Sequence, residues 1–383
     1  MLRRPWSSWS TPRPTSTSRW SSFAPSNRSP VACRSRRSKP SAVSPLPWFF
    51  LAALLALGAA VGGAQAGALE DGVAAFKRGD EETAVTKFRQ AASEGSARAQ
   101  YLLGMMYAYG QLVETDNAKA AHWFTLAADQ GLAKAQQELG YIYSEGLGVA
   151  EDDQKAVQLY RLAAAQGEAE AQFSLGEAYR TGEGVAEDEA EAVKWFALAA
   201  AQGDMIAQNN LGAMYENGQG VAVDDVAAAK WYRRAAEQGL ANAQHNLGMM
   251  YDGGRGVAQD HVEAVKWYRR AAAQADAIGQ NNLGAAYEAG RGVGRDLAQA
   301  FAWYSRAAEQ GMARAQHNLG VLYGNGEGVA QNLVEALKWF LLARELGHQS
   351  AGDNIEVVSR LLTPQDVVRA KTLAHQWLRK QPE

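Results

Sequence analysis

The sequence predicts an all-α array of stacked helical hairpins, and three observations carry that prediction. A Leu-Gly pair recurs every 36 residues without an insertion, at Leu103-Gly104, Leu139-Gly140, Leu175-Gly176, Leu211-Gly212, Leu247-Gly248, Leu283-Gly284 and Leu319-Gly320. A tyrosine follows each pair three residues later, as at Tyr107, Tyr143, Tyr215 and Tyr323. Alanine and glycine supply much of the 47% hydrophobic content, and most of the 10 prolines precede residue 50. A fixed period of this length marks units that bury their apolar faces against their neighbours.

The chain opens with a different composition. Residues 1–47 are basic and rich in Ser, Pro and Arg, and residues 1–66 hold nine Arg or Lys and no acid. Trp48 to Val61 is an unbroken apolar run of 14 residues, followed by Ala64-Gln65-Ala66. Basic, apolar, then A-x-A is the order of a secretory signal, so 48–66 reads as the apolar core and cleavage site, with the cut after Ala66. The run is short for a spanning helix, which wants roughly 18–20 residues, and no stable membrane insertion is expected after cleavage. An uncleaved anchor is the other reading. The length of the basic segment suggests translation starting at Val31. The sole cysteine, Cys33, precedes the apolar run, so no disulfide framework is expected.

Residues 67–96 form a leading unit without the loop seen later, and 97–347 carry the seven repeats. In each repeat a first helix runs from an Ala-Gln pair through Leu-Gly to the tyrosine. A G-x-G-V loop follows in six copies, from Gly146-Leu147-Gly148-Val149 to Gly326-Glu327-Gly328-Val329, while the first copy reads Gly110-Gln111-Leu112-Val113. Glycine-rich loops sometimes cradle phosphates. One loop would serve for that, and the chain has no Gly-Lys pair to supply a phosphate-binding lysine. The glycines are therefore structural, allowing positive φ in a tight connection. Asp116, Asp152, Asp188, Asp224, Asp260, Asp296 and Asn332 follow as N-caps of the second helix. That helix carries Ala228, Trp231, Tyr232, Ala235 and Ala236 at i, i+3, i+4, i+7, i+8 spacing, and Gly239 closes it. The residues expected to hold the repeat are thus Gly140, Tyr143, Gly146, Gly148, Asp224, Trp231, Tyr232 and Gly239. In 348–383 the pattern stops, and Thr363-Pro364-Gln365-Asp366 opens a last, capping helix to about Arg379.

The pattern A-Q-x-x-L-G-x-x-Y-x-x-G-x-G-V-x-x-D-x-x-x-A-x-x-W-Y-x-x-A-A-x-Q-G resembles the Sel-like repeat family, within the tetratricopeptide-repeat superfamily. The leading unit resembles a shorter tetratricopeptide-type hairpin. The resemblance implies a right-handed α-solenoid with the first helix of each repeat lining a concave side. It also implies an adaptor that binds other proteins.

Repetition disperses identical groups along an axis, whereas catalysis and metal binding need them to converge. The six histidines include no i, i+4 pair, so no metal site is expected. No catalytic residues and no cofactor are expected either. Some cysteine-rich members of the family are linked to β-lactam binding or hydrolysis. Their paired repeat cysteines are absent here, which weighs against an envelope hydrolase. Residues 67–383 hold 29 basic and 41 acidic residues, a net charge of −12, which excludes nucleic acid as a natural partner.

One feature varies inside the regular frame. Just before the Leu-Gly pair, the later repeats read Asn209-Asn210, His245-Asn246, Asn281-Asn282 and His317-Asn318. In tetratricopeptide domains the equivalent positions face a groove and hold peptides, and amides can grip an extended backbone without fixing its sequence. These residues are the candidates for a peptide-binding groove. The competing reading has Asn210, Asn246, Asn282 and Asn318 bonding to neighbouring backbone and only holding the stack. Glu216, Asp252 and Glu288 at the next turn would tilt such a groove toward basic partners. The expectation is an exported scaffold, periplasmic or secreted, with an unidentified protein or peptide partner. A structural spacer without a specific ligand is the remaining alternative.

Overall fold

The computed structural model describes residues 66–380. The expectations for residues 1–47, the apolar run and the cleavage signal up to residue 65 lie outside the described residues. Among these there are eighteen helices and no strand. Helices α1 (Ala66–Lys77) and α2 (Glu81–Ser93) make the leading hairpin. The first three repeats pair α3 (Ala97–Tyr109) with α4 (Asn117–Asp129), α5 (Ala133–Ser144) with α6 (Asp153–Ala165), and α7 (Ala169–Thr181) with α8 (Glu189–Ala201). The fourth and fifth pair α9 (Met205–Asn217) with α10 (Asp225–Glu237), and α11 (Ala241–Gly253) with α12 (His261–Ala273). The sixth and seventh pair α13 (Ala277–Ala289) with α14 (Leu297–Glu309), and α15 (Ala313–Asn325) with α16 (Leu333–Glu345). The chain closes with α17 (Ala351–Leu361) and α18 (Pro364–Leu378). The first and second helix of each repeat are called A and B below.

The helices divide into two compact units. An N-terminal unit spans residues 66–207 with 219–221, and a C-terminal unit spans 208–218 with 222–380. Both use one construction: an all-α solenoid of stacked hairpins.

Local signals set the helix ends. Asp224 accepts a hydrogen bond from the Ala227 amide at 2.9 Å, and Asp116, Asp152, Asp188, Asp260, Asp296 and Asn332 cap their own B helices likewise. Each such cap is worth about 1 kcal/mol. The loop between A and B is closed by a backbone bond from the capping residue to the repeat tyrosine. Asp152 N donates to Tyr143 O at 2.9 Å, and Asp260 N to Tyr251 O at 3.0 Å. Gly239 ends α10 with φ at 102°. The last helix has Thr363 as its N-cap, accepting from Asp366 N, with Pro364 in the first turn.

Close approach explains the Leu-Gly pair. A Cβ on Gly140 would lie 2.6 Å from the Tyr160 ring, and one on Gly248 2.6 Å from the Tyr268 ring. Glycine lets helix A lie directly on the aromatic residue of helix B, which is buried: Tyr232 is 1% exposed. Burying one such side chain stabilises by about 1.5–3 kcal/mol. Gly72 meets the Phe88 ring the same way at 2.8 Å, so the leading hairpin shares this packing.

The two loop glycines have different reasons. Gly146, with φ at 62°, lies in the left-handed region just past the end of its A helix. Gly148 also has a positive φ, 71°, and a Cβ there would come within 2.5 Å of the Asn117–Ala118 backbone of the preceding repeat. At Gly256 a Cβ would overlap the Asp225 carbonyl. The loop thus seats each repeat on the start of the previous B helix.

Candidate functional site

The side chains that vary between repeats lie on helix A, at its fifth and sixth positions. In the C-terminal unit they bond to one another across repeats. Asn246 Nδ2 donates to Asn209 Oδ1 at 3.1 Å, and Asn318 Nδ2 to Asn281 Oδ1 at 3.3 Å. Asn281 Nδ2 also reaches Asn282 Oδ1 at 3.3 Å. His245 Nδ1 lies 2.9 Å from Asp276 Oδ1, with both side chains at 10% exposure or less. The partners of Asn246 and Asn318 are side chains of the preceding repeat, whereas those of His245 and Asn282 lie within their own repeat.

Burial separates the two positions. His245, Asn281 and His317 are buried at the fifth position, whereas Asn210, Asn246, Asn282 and Asn318 at the sixth are half-buried, as is Asn209. The sixth-position amides therefore form a row, one per 36 residues, that still meets solvent.

His317 has the densest surroundings. Its ring stacks on His348, with centroids 4.4 Å apart and planes 19° from parallel. Its Nε2 lies 2.9 Å from Asn354 Nδ2 on α17, and its Nδ1 3.5 Å from Asn318 Oδ1. Burial, with His348 adding to it, pushes the imidazole down to about 4. Burial also lowers His348, aided by Arg314. The pair is 31 residues apart in sequence, beyond the reach of any periodicity argument. Among the described residues no group of three or more His, Cys, Asp or Glu is arranged to hold a metal ion.

The acids of the next turn are largely used inside the stack. Glu216 pairs with Arg255 at 2.6 Å and accepts the Tyr232 hydroxyl at 2.7 Å. Asp252 lies 2.8 Å from His261 Nδ1 and 3.7 Å from Arg291. Glu288 accepts from the Tyr304 hydroxyl at 2.7 Å, and burial raises its pKa. The tilt toward basic partners expected from these acids is thus offset at Glu216 by Arg255 and at Asp252 by Arg291, loop residues 39 positions further on, whereas Glu327 stands at that place for Glu288.

The residues expected to hold the repeat have structural contacts. Lys155 Nζ donates to the Tyr143 hydroxyl at 2.7 Å. Trp231 is half-buried, with the Arg234 guanidinium 4.6 Å from its ring. A further set was not singled out by sequence reasoning. The glutamine of the Ala-Gln pair donates to the end of the preceding B helix, as Gln136 Nε2 to Ala128 O at 3.2 Å and Gln244 Nε2 to Ala236 O at 3.1 Å. The same glutamine accepts from the one that ends its own B helix, as Gln166 to Gln136 at 2.8 Å and Gln274 to Gln244 at 2.9 Å. Leu346 stands at that place in the last repeat, and the buried Gln316 Oε1 has no partner. Both glutamines belong to the repeat pattern, so the signal was present without its meaning.

The model of the Sel1 repeat matches residues 97–132, 133–168, 169–204, 206–240, 241–276, 277–312 and 313–348. The chain belongs to the Sel1 repeat family. Among solved structures, it is similar to a Sel1 repeat protein from Oxalobacter formigenes, at 34% identity over 77% of this chain and 88% of that one, with a TM-score of 0.59. It is similar to a protective antigen of uropathogenic Escherichia coli with the same repeat fold, at 32% identity over 87% of this chain and 79% of that one, also with a TM-score of 0.59. A search of curated proteins gave no match. Sel1 repeat proteins generally mediate protein–protein interaction, and the solenoid is typically a non-enzymatic scaffold. Among the described residues no helix is long and apolar enough to cross a membrane.

Proposed function

We propose that this Sel1 repeat protein is an exported adaptor that holds a protein or peptide partner against the helix A face of its repeats. One observation carries the reading: the half-buried amide row of Asn210, Asn246, Asn282 and Asn318, set at a constant spacing on helices fixed by packing. Amides that meet solvent at regular intervals suit a polypeptide backbone, whose N–H and C=O groups also recur regularly. Dispersed identical groups suit an extended ligand better than a small substrate. Export rests on the basic, apolar and A-x-A order of the leader. The similar Escherichia coli protein is a protective antigen, which fits an exported chain.

Crosslinking from the native envelope tests this. Wild-type protein is compared with a variant carrying Asn210→Ala, Asn246→Ala, Asn282→Ala and Asn318→Ala, its helicity checked by circular dichroism. The expected result is a partner captured by wild type and lost by the folded variant. Identical capture by both overturns the role of the amide row. N-terminal sequencing of the exported protein is expected to begin at Gly67.

A further inference from the structure

On the helix A face of the N-terminal unit, a cleft of about 50 Å³ is lined by Tyr101, Lys134, Gln137, Glu138, Glu168 and Glu170. These residues come from the A helices of the first three repeats and the N-cap of α7. Gln137 is 9% exposed, and its buried Oε1 has no hydrogen-bond partner. An unmatched buried acceptor is destabilising, so a cleft lined by one favours a ligand that brings a donor. In the C-terminal unit, the fifth-position side chains His245, Asn281 and His317 all have partners within the protein.

The rest of the lining defines the donor. Tyr101 is 4% exposed. Burial raises its hydroxyl far above the usual phenol range, and Glu138, Tyr109, Glu170 and Glu168 push it the same way. Three carboxylates therefore act on one small space that holds a single base, Lys134. Glu168 caps α7 with its backbone only, leaving its carboxylate out of the helix end. The fit is to a positive group that carries N–H donors and no acceptors, on a stem thin enough to enter. Lysine ammonium and arginine guanidinium heads meet that description.

We infer that this cleft seats a lysine or arginine side chain of a partner polypeptide, with its N–H groups donating to Gln137 Oε1 and its charge matched by Glu138, Glu168 and Glu170. The inference rests on the helix A face being the binding face. It adds that the bound segment is basic where it meets the second repeat.

The test uses the full chain and three small probes: Nα-acetyl-arginine amide, Nα-acetyl-lysine amide, and Nα-acetyl-citrulline amide, the neutral near-isostere of the arginine probe. The Gln137 side-chain amide and the backbone amides of α5 and α7 are followed by NMR. The expected result is a saturable shift at Gln137 with a cationic probe and none with citrulline. Affinity is expected to fall about tenfold or more in Gln137→Leu, which keeps the bulk and removes the acceptor. A several-fold fall is expected in Glu170→Gln, an exposed position that leaves the fold untouched. If Gln137→Leu does not fold, the double variant Glu168→Gln, Glu170→Gln decides. An equal response to citrulline, no shift at Gln137 with either cation, or unchanged affinity in the folded variants overturns the seat. The envelope crosslinking keeps the two readings apart. A partner lost with the asparagine variant, together with no response to the cationic probes, sinks the seat and leaves the adaptor standing.

Discussion

The two units share a frame and differ in what they hang on it. At the fifth position of helix A the N-terminal unit carries Tyr101, Gln137 and Phe173, and the C-terminal unit carries Asn209, His245, Asn281 and His317. The first set leaves an acceptor unmet inside an acidic cleft, whereas His245, Asn281 and His317 are satisfied within the protein. On helix B, Leu126, Leu162 and Leu198 stand exposed in the N-terminal unit at 36%, 55% and 48%. Their counterparts in the fourth to sixth repeats are Arg234, Arg270 and Arg306, each about 4.4–4.6 Å from the ring of the tryptophan three residues before it, while the last repeat carries Leu342, which is buried. The glycines, caps and small residues that seat one helix on the next do not distinguish the units. The differences collect at the fifth position of helix A, which is mostly buried, and at the exposed position of helix B.

The largest effect is expected from breaking the shared frame. Gly256→Leu adds a side chain where the Asp225 carbonyl already lies, at a φ of 64°. The left-handed backbone alone costs about 1–2 kcal/mol, and the first repeat tolerates it, since Leu112 sits at the same loop position with φ 62°. The overlap with backbone cannot be relieved by a rotamer change. A total loss of about 4 kcal/mol or more is expected, read as a lower urea midpoint. A loss near 1 kcal/mol would mean that the loop does not seat one repeat on the next.

Second comes acid. His317 has an ordinary pKa of 6.5 and is held at about 4 in the folded protein. Protons therefore favour the unfolded chain once the pH drops below 6.5, and stability is lost progressively down to about 4. The full shift is worth about 3 kcal/mol. Because His317 meets His348 and Asn354, the loss is expected first in α17 and α18, as lower amide protection factors at pH 5 than at pH 7 once the intrinsic pH dependence of exchange is divided out. His317→Gln is expected to flatten that dependence. An unchanged pH profile would show that the stacked pair does not hold the last helices.

The tryptophan covers come third. Arg234→Leu, Arg270→Leu and Arg306→Leu would give the C-terminal unit the N-terminal pattern. Each cation–π contact at a partly exposed site is worth about 0.5–1 kcal/mol. The triple variant is expected to lose about 2 kcal/mol and to bind an apolar dye more strongly. No loss would mean that the guanidinium groups are incidental to the tryptophans.

The frame was legible in the sequence because each signal is local. Asp224 caps, Gly239 closes, and Thr363 with Pro364 opens the last helix, each within a few residues of where it acts. Period shows which positions recur but not what they touch. The pairing of Gln136 with Gln166 lies 30 residues apart, that of Glu216 with Arg255 39, and the stacking of His317 on His348 31. The amide row was legible as a row. Its neighbour-to-neighbour bonds and the unmet Gln137 acceptor needed the helices in three dimensions.

The smallest predicted effect concerns the one repeat that departs from glycine after its B helix. Gly131, Gly167, Gly203, Gly239, Gly311 and Gly347 all have positive φ at this place, and Ala275 holds the same conformation at 62°. The alanine is exposed, so its methyl gains little from packing. Replacing it by glycine removes about 1–2 kcal/mol of left-handed strain. The added freedom of the unfolded chain costs about 0.5–1 kcal/mol. The difference favours Ala275→Gly by about 0.5–1 kcal/mol, a rise of a few degrees in Tm. Gly239→Ala in the neighbouring repeat is expected to lose as much. The next residue, Asp276, caps α13 through the Gly279 amide and meets His245 at 2.9 Å. A gain from Ala275→Gly with that contact intact would show that the turn is held by its own backbone. A loss would show instead that the stiffer alanine positions Asp276 for both the cap and the histidine, placing the fifth position of helix A under control of the turn behind it.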